Sequence, residues 1–167
     1  DKLTVCTVST GRETLQVVCG AKNYKVMTAP DGSTSRAQWQ EWIGHDEAVF
    51  IDGFELFDGF TAIAERSGGL ERIRLLKQDG TDEYVQADEP AYSMGLSINS
   101  EPDTDWLRYS YTSLTTPGTT YELDTRTGER RLLKQQPVIG CDPDRYVTER
   151  LWATARDGTK VPVSLVY

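Results

Sequence analysis

Apolar and polar side chains alternate along residues 106–113. Leu107, Tyr109 and Tyr111 fall on one side of this run, and mostly small or charged residues fall on the other. An alternation with a period of two residues, rich in aromatic residues and threonine, is typical of a β-strand that buries one face. The pattern therefore predicts a half-buried strand, and the rest of the chain is interpreted from it.

Two further strands follow this one directly. Pro117 and Gly118 interrupt the alternation, because proline removes a ladder donor and glycine permits a positive φ. Residues 119–123 and 129–133 then resume it, separated by a short loop that ends at Gly128. Three consecutive strands with short connections predict an antiparallel meander.

Similar short alternating runs fill most of the chain. The other predicted strands lie at residues 3–8, 14–19, 24–27, 48–51, 54–57, 60–66, 70–76, 83–86 and 92–98. Asp52-Gly53 predicts a bulge or tight bend between two of these strands. Asp58-Gly59 and Ser67-Gly68-Gly69 predict hairpin turns. Residues 33–42 fit either a helical turn that begins near Arg36 or a loop with two packed tryptophans, and the sequence leaves both open.

A repeat of 48 residues underlies these strands. Gly32, Gly80 and Gly128 are spaced at this interval, and Leu75 and Leu123 each lie five residues before their glycine. A period of this length with four short strands per unit is typical of a β-propeller blade. About three and a half units fit into the chain, and a closed propeller needs at least about four blades. The predicted fold is all-β: a partial β-propeller of about three four-stranded antiparallel blades.

Length and charge exclude several function classes. The chain has 167 residues, and its 18 basic and 26 acidic residues give a formal net charge of −8, which argues against a nucleic-acid partner. No apolar run approaches the roughly 18–20 residues of a membrane helix, and no signal peptide is evident. Cys6, Cys19 and Cys141 are interpreted as reduced thiols. A cytoplasmic location is predicted, or a periplasmic one if a signal peptide was removed. Unpaired blade flanks predict a homo-oligomer formed through exposed blade edges.

The search for catalytic or metal-binding groups starts from the single histidine, His45. It stands beside Asp46 and Glu47, so it fits either a proton relay or metal site, or an isolated loop histidine. A metal site would need a second strong ligand that the sequence does not supply, and the loop interpretation is preferred. Ser67 lacks the preceding glycine of a nucleophile elbow, which favours a plain hairpin turn.

Charged clusters offer no clear site either. Four carboxylate pairs were considered for glycosidase chemistry: Asp103 and Asp105, Asp82 and Glu83, Asp88 and Glu89, and Asp142 and Asp144. All four are interpreted as solvated turn residues. A basic cluster is interpreted as the exposed face of an edge strand, and it comprises Arg126, Arg130, Arg131 and Lys134. The sequence therefore predicts no catalytic residue, no metal site and no cofactor.

Two segments resemble a known family. Residues 111–129 resemble the last propeller blade of the prolyl oligopeptidase family, and residues 149–167 resemble its crossing from propeller to peptidase domain. Two segments are most similar to the oligopeptidase B branch of this family: residues 127–134, Thr-Gly-Glu-Arg-Arg-Leu-Leu-Lys, and residues 162–167, Pro-Val-Ser-Leu-Val-Tyr. Residues 22–30, Glu55-Leu56-Phe57 and Glu65-Arg66 are similar to its middle blades. The resemblance covers nearly the whole chain and is most specific from Tyr109 onward.

The resemblance implies a serine peptidase in which a seven-bladed propeller covers an α/β-hydrolase domain that carries the catalytic Ser, Asp and His. Oligopeptidase B enzymes cleave short peptides after Lys or Arg. None of those catalytic residues can be placed on this chain, so the chain itself is predicted not to be an enzyme. Residues 1–144 are predicted to be partial propeller and residues 145–167 the crossing segment. The implied partners are the peptidase domain of the same protein and short basic peptides, and the propeller would gate peptide access.

Two other function classes stay open at this point. One is a stand-alone propeller that binds other proteins through its loops, because binding residues often lie on loops held by a rigid scaffold. The other is part of a propeller glycosidase, which would need two carboxyl groups at a defined separation in one cleft, one of them with a raised pKa.

Overall fold

The computed structural model describes residues 7–9, 14–18, 22–30, 35–140 and 142–167. Within these ranges the chain forms fourteen β-strands and two single-turn 3-10 helices. Twelve strands make three four-stranded antiparallel sheets, and the last two make a hairpin. The all-β fold built from four-stranded antiparallel sheets is confirmed. The chain divides into two compact units, Asp1–Ile51 and Asp52–Tyr167.

The first sheet belongs to the first unit. Its strands run in chain order, β1 (Thr7–Ser9), β2 (Thr14–Val18), β3 (Lys25–Ala29) and β4 (Gln40–Ile43). Val26 is fully buried and Ile43 is nearly so. The segment that the sequence left undecided contains a 3-10 turn at Arg36–Gln38 and then β4, so it is partly helical turn and partly strand.

The second unit carries the third sheet, the hairpin and the second sheet from Asp52 onward. The second sheet comprises β5 (Val49–Leu56), β6 (Phe60–Ser67), β7 (Leu70–Lys77) and β8 (Asp82–Tyr84). The third comprises β9 (Tyr92–Leu96), β10 (Trp106–Ser113), β11 (Thr119–Asp124) and β12 (Arg130–Gln135). The hairpin comprises β13 (Thr148–Thr154) and β14 (Lys160–Val166). In each sheet, neighbours along the chain are neighbours in space, which is the up-and-down order predicted for a blade.

An apolar core holds the second and third sheets together. Alternate residues of the inner strands point into it, as the period of two dictates, and each is almost inaccessible to solvent. Its buried members are Phe57, Phe60, Ala62, Ile73, Leu75, Val85, Met94, Leu107, Tyr109 and Tyr111. The rings of Phe57 and Phe60 stack with their centroids 4.2 Å apart. The face predicted from Leu107, Tyr109 and Tyr111 is therefore the buried one.

The predicted repeat corresponds to one recurring turn. Gly80 joins the third and fourth strands of the second sheet, and Gly128 does the same in the third sheet. Both have positive φ, +88° and +78°, a conformation that glycine adopts without steric cost. Gly32 lies outside the described residues. Equal spacing therefore reflects equivalent positions in successive sheets.

Of the two alternatives at Asp52-Gly53, the tight bend is wrong, because β5 continues through both residues. The bulge stays a prediction. Glycine permits a bend but does not impose one, and the neighbouring strand keeps this segment extended. Asp52 helps to fix it there, since Arg66 on β6 donates to both of its carboxylate oxygens at 3.1 Å. The hairpin turn predicted at Ser67-Gly68-Gly69 is confirmed, with Ser67 paired to Leu70 and positive φ at both glycines.

Self-association through exposed edges stays a prediction. All six residues of β12 are exposed, including Leu132 at 57% and Leu133 at 46%. An exposed edge strand with apolar side chains can pair with a second copy of the chain. We expect sedimentation velocity to show association that increases with concentration and weakens when both leucines are replaced by serine. A single monomeric species over a wide concentration range would contradict this.

Candidate functional site

The β13–β14 hairpin is the element with the clearest functional surface. Its strands pair over seven consecutive residues, from Thr148 opposite Val166 to Thr154 opposite Lys160. Because directly opposed residues share a face, the register divides the side chains into two sets. We call the first set the docked face; its members are Thr148, Arg150, Trp152, Thr154, Lys160, Pro162, Ser164 and Val166. We call the second set the apolar face, because apart from Glu149 its members are apolar: Leu151, Ala153, Val161, Val163 and Leu165.

The docked face lies against the body of the second unit. Arg150 donates a hydrogen bond to the carbonyl oxygen of Gly68, in the turn between β6 and β7. The hydroxyl oxygens of Thr148 and Thr115 lie 3.4 Å apart, and Thr115 belongs to the turn between β10 and β11. The hairpin therefore contacts the same kind of turn, between second and third strands, in two consecutive sheets.

Most of the apolar face is exposed among the described residues, although Val163 is half-buried. The docked face is not fully covered either, since Trp152 is 54% exposed. Leu151 is 44% exposed, Val161 43% and Leu165 36%. A two-stranded hairpin cannot bury such a face by itself, and contiguous exposed apolar surface is typical of a contact with another domain or chain. The arrangement gives one face to the sheets and leaves the other for a partner.

A polar cluster anchors the end of the sheets that the hairpin contacts. Glu89, which follows the second sheet, accepts hydrogen bonds from the hydroxyls of Tyr111 at 3.1 Å and Thr116 at 3.3 Å, and from that of Thr115. Burial would raise the pKa of the Glu89 carboxyl, but these hydrogen bonds outweigh it and hold that pKa below its usual range. A carboxylate with its acceptor positions filled in this way ties loops together and is poorly placed to transfer a proton.

A second polar cluster surrounds Glu65, whose side chain is 1% exposed. The hydroxyl of Tyr84 donates to it at 2.9 Å, and the guanidinium groups of Arg72 and Arg74 lie 3.5 and 3.4 Å from its oxygens. Arg74 also donates to both oxygens of Asp82, at 2.7 and 2.6 Å. Two carboxylates therefore balance two guanidiniums. This ion cluster links three strands of the second sheet, and within it Nε of Arg72 is buried without a hydrogen-bond partner.

Comparison with known proteins decides the family. Residues 4–136 match the family described as "Prolyl oligopeptidase, N-terminal beta-propeller domain". The chain belongs to the prolyl oligopeptidase family. The β-propeller fold predicted from the repeat is therefore confirmed, and each four-stranded sheet is one of its blades.

Relatives in this family are peptidases. The chain is 64% identical over 149 residues to a dipeptidyl aminopeptidase BI from Pseudoxanthomonas mexicana, covering 89% of the chain and 21% of that protein. It is 33% identical over 149 residues to a protease 2 from Moraxella lacunata, with the same two coverages. The chain therefore spans about a fifth of the length of these relatives.

Solved structures of the family share the fold. Oligopeptidase B from Trypanosoma brucei, in a closed form with covalently bound antipain, superimposes with a TM-score of 0.82 at 31% identity, over 99% of this chain and 25% of that one. Oligopeptidase B from Leishmania major gives a TM-score of 0.82 at 27% identity, over the same shares. In homologous structures the propeller belongs with a C-terminal hydrolase domain.

The surroundings of His45 are those of a loop residue rather than of a catalytic site. This exposed residue lies in a loop whose shape comes from its neighbours: the Asn23 side chain donates to the carbonyl oxygens of Asp46 and Glu47 at 3.0 and 2.7 Å, and Asp46 accepts from the Ala48 amide at 2.7 Å. No cluster of three metal-ligating side chains occurs in the described part of the chain. The loop interpretation fits these contacts better than a metal site.

The four carboxylate pairs have different surroundings in the described residues. Asp82 and Glu83 lie on strand β8 rather than in a turn, so the turn interpretation is wrong for this pair. Each carboxylate forms an ion pair with the neighbouring strand β7: Asp82 with Arg74 and Glu83 with Lys77, both at 2.6 Å. These ion pairs stabilise the two residues in a strand rather than a turn. Asp88 pairs with Arg130 at 2.8 Å. Glu89 is half-buried among its hydroxyl donors, so the solvated interpretation is wrong for Glu89. Asp103 and Asp105 lie in the β9–β10 loop, and Asp142 precedes a 3-10 turn at Pro143–Arg145 that includes Asp144.

The predicted basic cluster is divided rather than shared by one surface. Arg130 lies over the ring of Tyr121 at 4.6 Å, whereas Arg131 lies over that of Trp106 at 3.9 Å, on the opposite side of the sheet. Because successive side chains of a strand point to opposite faces, Arg130 and Arg131 cannot lie on the same face of the sheet. The position of β12 at the sheet edge is confirmed, with Lys134 exposed on it and Arg126 in the preceding turn.

Three remaining sequence predictions have separate outcomes. Cys6, Cys19 and Cys141 lie outside the described residues. In the described ranges, no helix is long and apolar enough to span a bilayer. The boundary between residues 144 and 145 stays a prediction, since the family match extends to residue 136.

Proposed function

We propose that this chain supplies the later blades of a propeller that controls peptide access to the catalytic domain of a serine peptidase, and that its β13–β14 hairpin begins the passage into that domain. The observation that carries the proposal is the hairpin, with one face in contact with the propeller turns and a largely exposed apolar face. Membership of the prolyl oligopeptidase family supports a hydrolase domain as the occupant of the apolar face. The propeller would admit short peptides and exclude folded proteins, because a rigid ring of blades limits the size of what can enter.

For the complete protein we propose release of dipeptides from peptide N-termini. The 64% identical relative carries the name dipeptidyl aminopeptidase BI, and this identity extends over 89% of the chain. An enzyme of that type requires a free α-amino group on its substrate. The predicted location in the cytoplasm stays a prediction.

A second candidate is cleavage of short peptides after Lys or Arg, with no need for a free N-terminus. The similarity to oligopeptidase B from Trypanosoma brucei, at 31% identity and a TM-score of 0.82, favours it. The two candidates differ in one measurable requirement, the substrate's α-amino group.

The test uses the complete natural protein that contains this sequence. Two fluorogenic substrates would be compared, Arg-Arg-aminomethylcoumarin with a free N-terminus and the same dipeptide blocked by a benzyloxycarbonyl group. We expect cleavage of the free dipeptide and at least about a hundredfold lower kcat/KM for the blocked one, because a buried recognition group left without its charged partner costs several kcal/mol. Equal cleavage of both would favour the second candidate.

Two controls complete this experiment. The 167-residue chain alone should cleave neither substrate, and activity that survives repurification would contradict its non-catalytic role. The complete protein should cleave short peptides and leave a folded protein with accessible Lys and Arg residues intact. Absence of all peptidase activity would contradict both candidates and favour a stand-alone binding module.

A further inference from the structure

We propose that the Gly68-Gly69 turn is a docking notch for the β13–β14 hairpin and that Arg150 is the positioning residue that holds the hairpin in it. The notch joins segments that are about half the chain apart: Arg150 and Gly68 are separated by 82 residues. The docking itself does not depend on the proposed function. Only its consequence for a peptidase domain rests on that function.

The two glycines of the turn serve the contact as well as the turn. Gly69 has φ +80°, and a Cβ atom at this position would lie 3.2 Å from Cγ of Pro162 and 3.3 Å from Nη2 of Arg150. Both distances are shorter than ordinary van der Waals contact, so a Cβ at residue 69 would require Pro162 and the end of Arg150 to shift by a few tenths of an ångström. Gly68 has φ +56°, and its missing Cβ would lie 3.9 Å from Cζ2 of Trp152. The hairpin therefore crowds the place of a Cβ at Gly69, whereas a Cβ at Gly68 would make an ordinary contact with Trp152.

Arg150 supplies the directional part of the contact. Its guanidinium donates to the Gly68 carbonyl and lies over the ring of Trp152 at 5.4 Å, so the two side chains of the docked face support one another. A guanidinium stays charged at all physiological pH values, and hydrogen bonds from charged donors are stronger than those between neutral groups. The contact should therefore persist across the pH range in which the protein is folded.

A second attachment makes the docking specific in orientation. Thr148 meets Thr115 in the equivalent turn of the third sheet, 3.4 Å from hydroxyl to hydroxyl. Contacts with turns of two adjacent blades fix the hairpin in rotation as well as in position. The docked hairpin therefore moves together with the propeller, so motion of what it carries requires either bending beyond β14 or release of the notch.

The test is hydrogen exchange of the 167-residue chain, measured on peptides from β13 and β14. We expect Gly69→Ala to speed exchange of both strands about five- to tenfold, because loss of the docking contacts lets the hairpin open more often. Gly80→Ala is the matched control. Gly80 has nearly the same φ, +88°, but nothing lies within 4 Å of an added Cβ, so it carries the same backbone strain without the clash.

A second pair of variants tests the arginine without altering the turn. Arg150→Leu should speed exchange of both hairpin strands, whereas Arg156→Leu, at the exposed tip of the same hairpin, should leave it unchanged. Equal exchange in Gly69→Ala and Gly80→Ala, or no effect of Arg150→Leu, would overturn the proposal. No peptidase assay enters the comparison, so failure of the proposed function would not affect the result.

Discussion

The Glu65→Ala variant is expected to lose about 3 kcal/mol of unfolding free energy, because removal of one partner from a buried ion cluster leaves the other charges without compensation. Glu65 is 1% exposed, and it balances two guanidiniums whose side chains are only 26–28% exposed. In this variant Arg74 would keep its ion pair with Asp82. Arg72 would lose its carboxylate partner, and the hydroxyl of Tyr84 would lose its hydrogen-bond acceptor. Urea unfolding followed by circular dichroism measures the effect.

The matched control for this variant is Glu122→Ala. Glu122 on β11 also pairs with an arginine across strands, Arg108 on β10, and at a shorter distance of 2.7 Å. The two side chains are 21% and 45% exposed, so water screens the pair and its removal should cost no more than about 1 kcal/mol. Burial rather than distance thus decides which pair matters. Equal losses in the two variants would contradict a structural role for the Glu65 cluster.

The alternation of side chains predicted the sheets well because their period is a property of the strand itself. In β10 every second residue is buried, and the register with β9 and β11 follows from short connections. The 48-residue repeat was informative for the same reason, since equivalent turns need a residue that tolerates positive φ. Local rules failed at Asp52-Gly53, where pairing with the next strand overrides what glycine permits.

The two clusters and the docking notch could not be predicted in this way. A glutamate in a strand is normally exposed, and Glu65 is buried only because Arg72, Arg74 and Tyr84 come from other strands. The one signal in the sequence was a charged residue on the same side of its strand as Thr61 and Ile63. The Gly68-Gly69 turn was predicted correctly as a turn, but its partner lies 82 residues away and no local pattern marks it.

The Leu107→Ala variant should cost about 2–5 kcal/mol and loosen the contact between the second and third blades. Leu107 is fully buried on β10, among the side chains that join the two sheets. Truncation removes apolar contacts and leaves a cavity that close-packed neighbours cannot fill. Urea unfolding would give the loss of stability, and binding of a dye specific for exposed apolar surface would show the opened interface.

Leu132→Ala provides the comparison that isolates burial. It makes the same chemical change in the same sheet, but Leu132 is 57% exposed on the edge strand β12. Its loss should stay within about 0.5 kcal/mol, as for most surface substitutions. If Leu107→Ala loses little unfolding free energy, the blades fold independently. If Leu107→Ala loses much and Leu132→Ala loses little, each blade relies on its neighbour for its core. The proposed control of peptide access would require such dependence, because blades that separate easily would admit folded proteins.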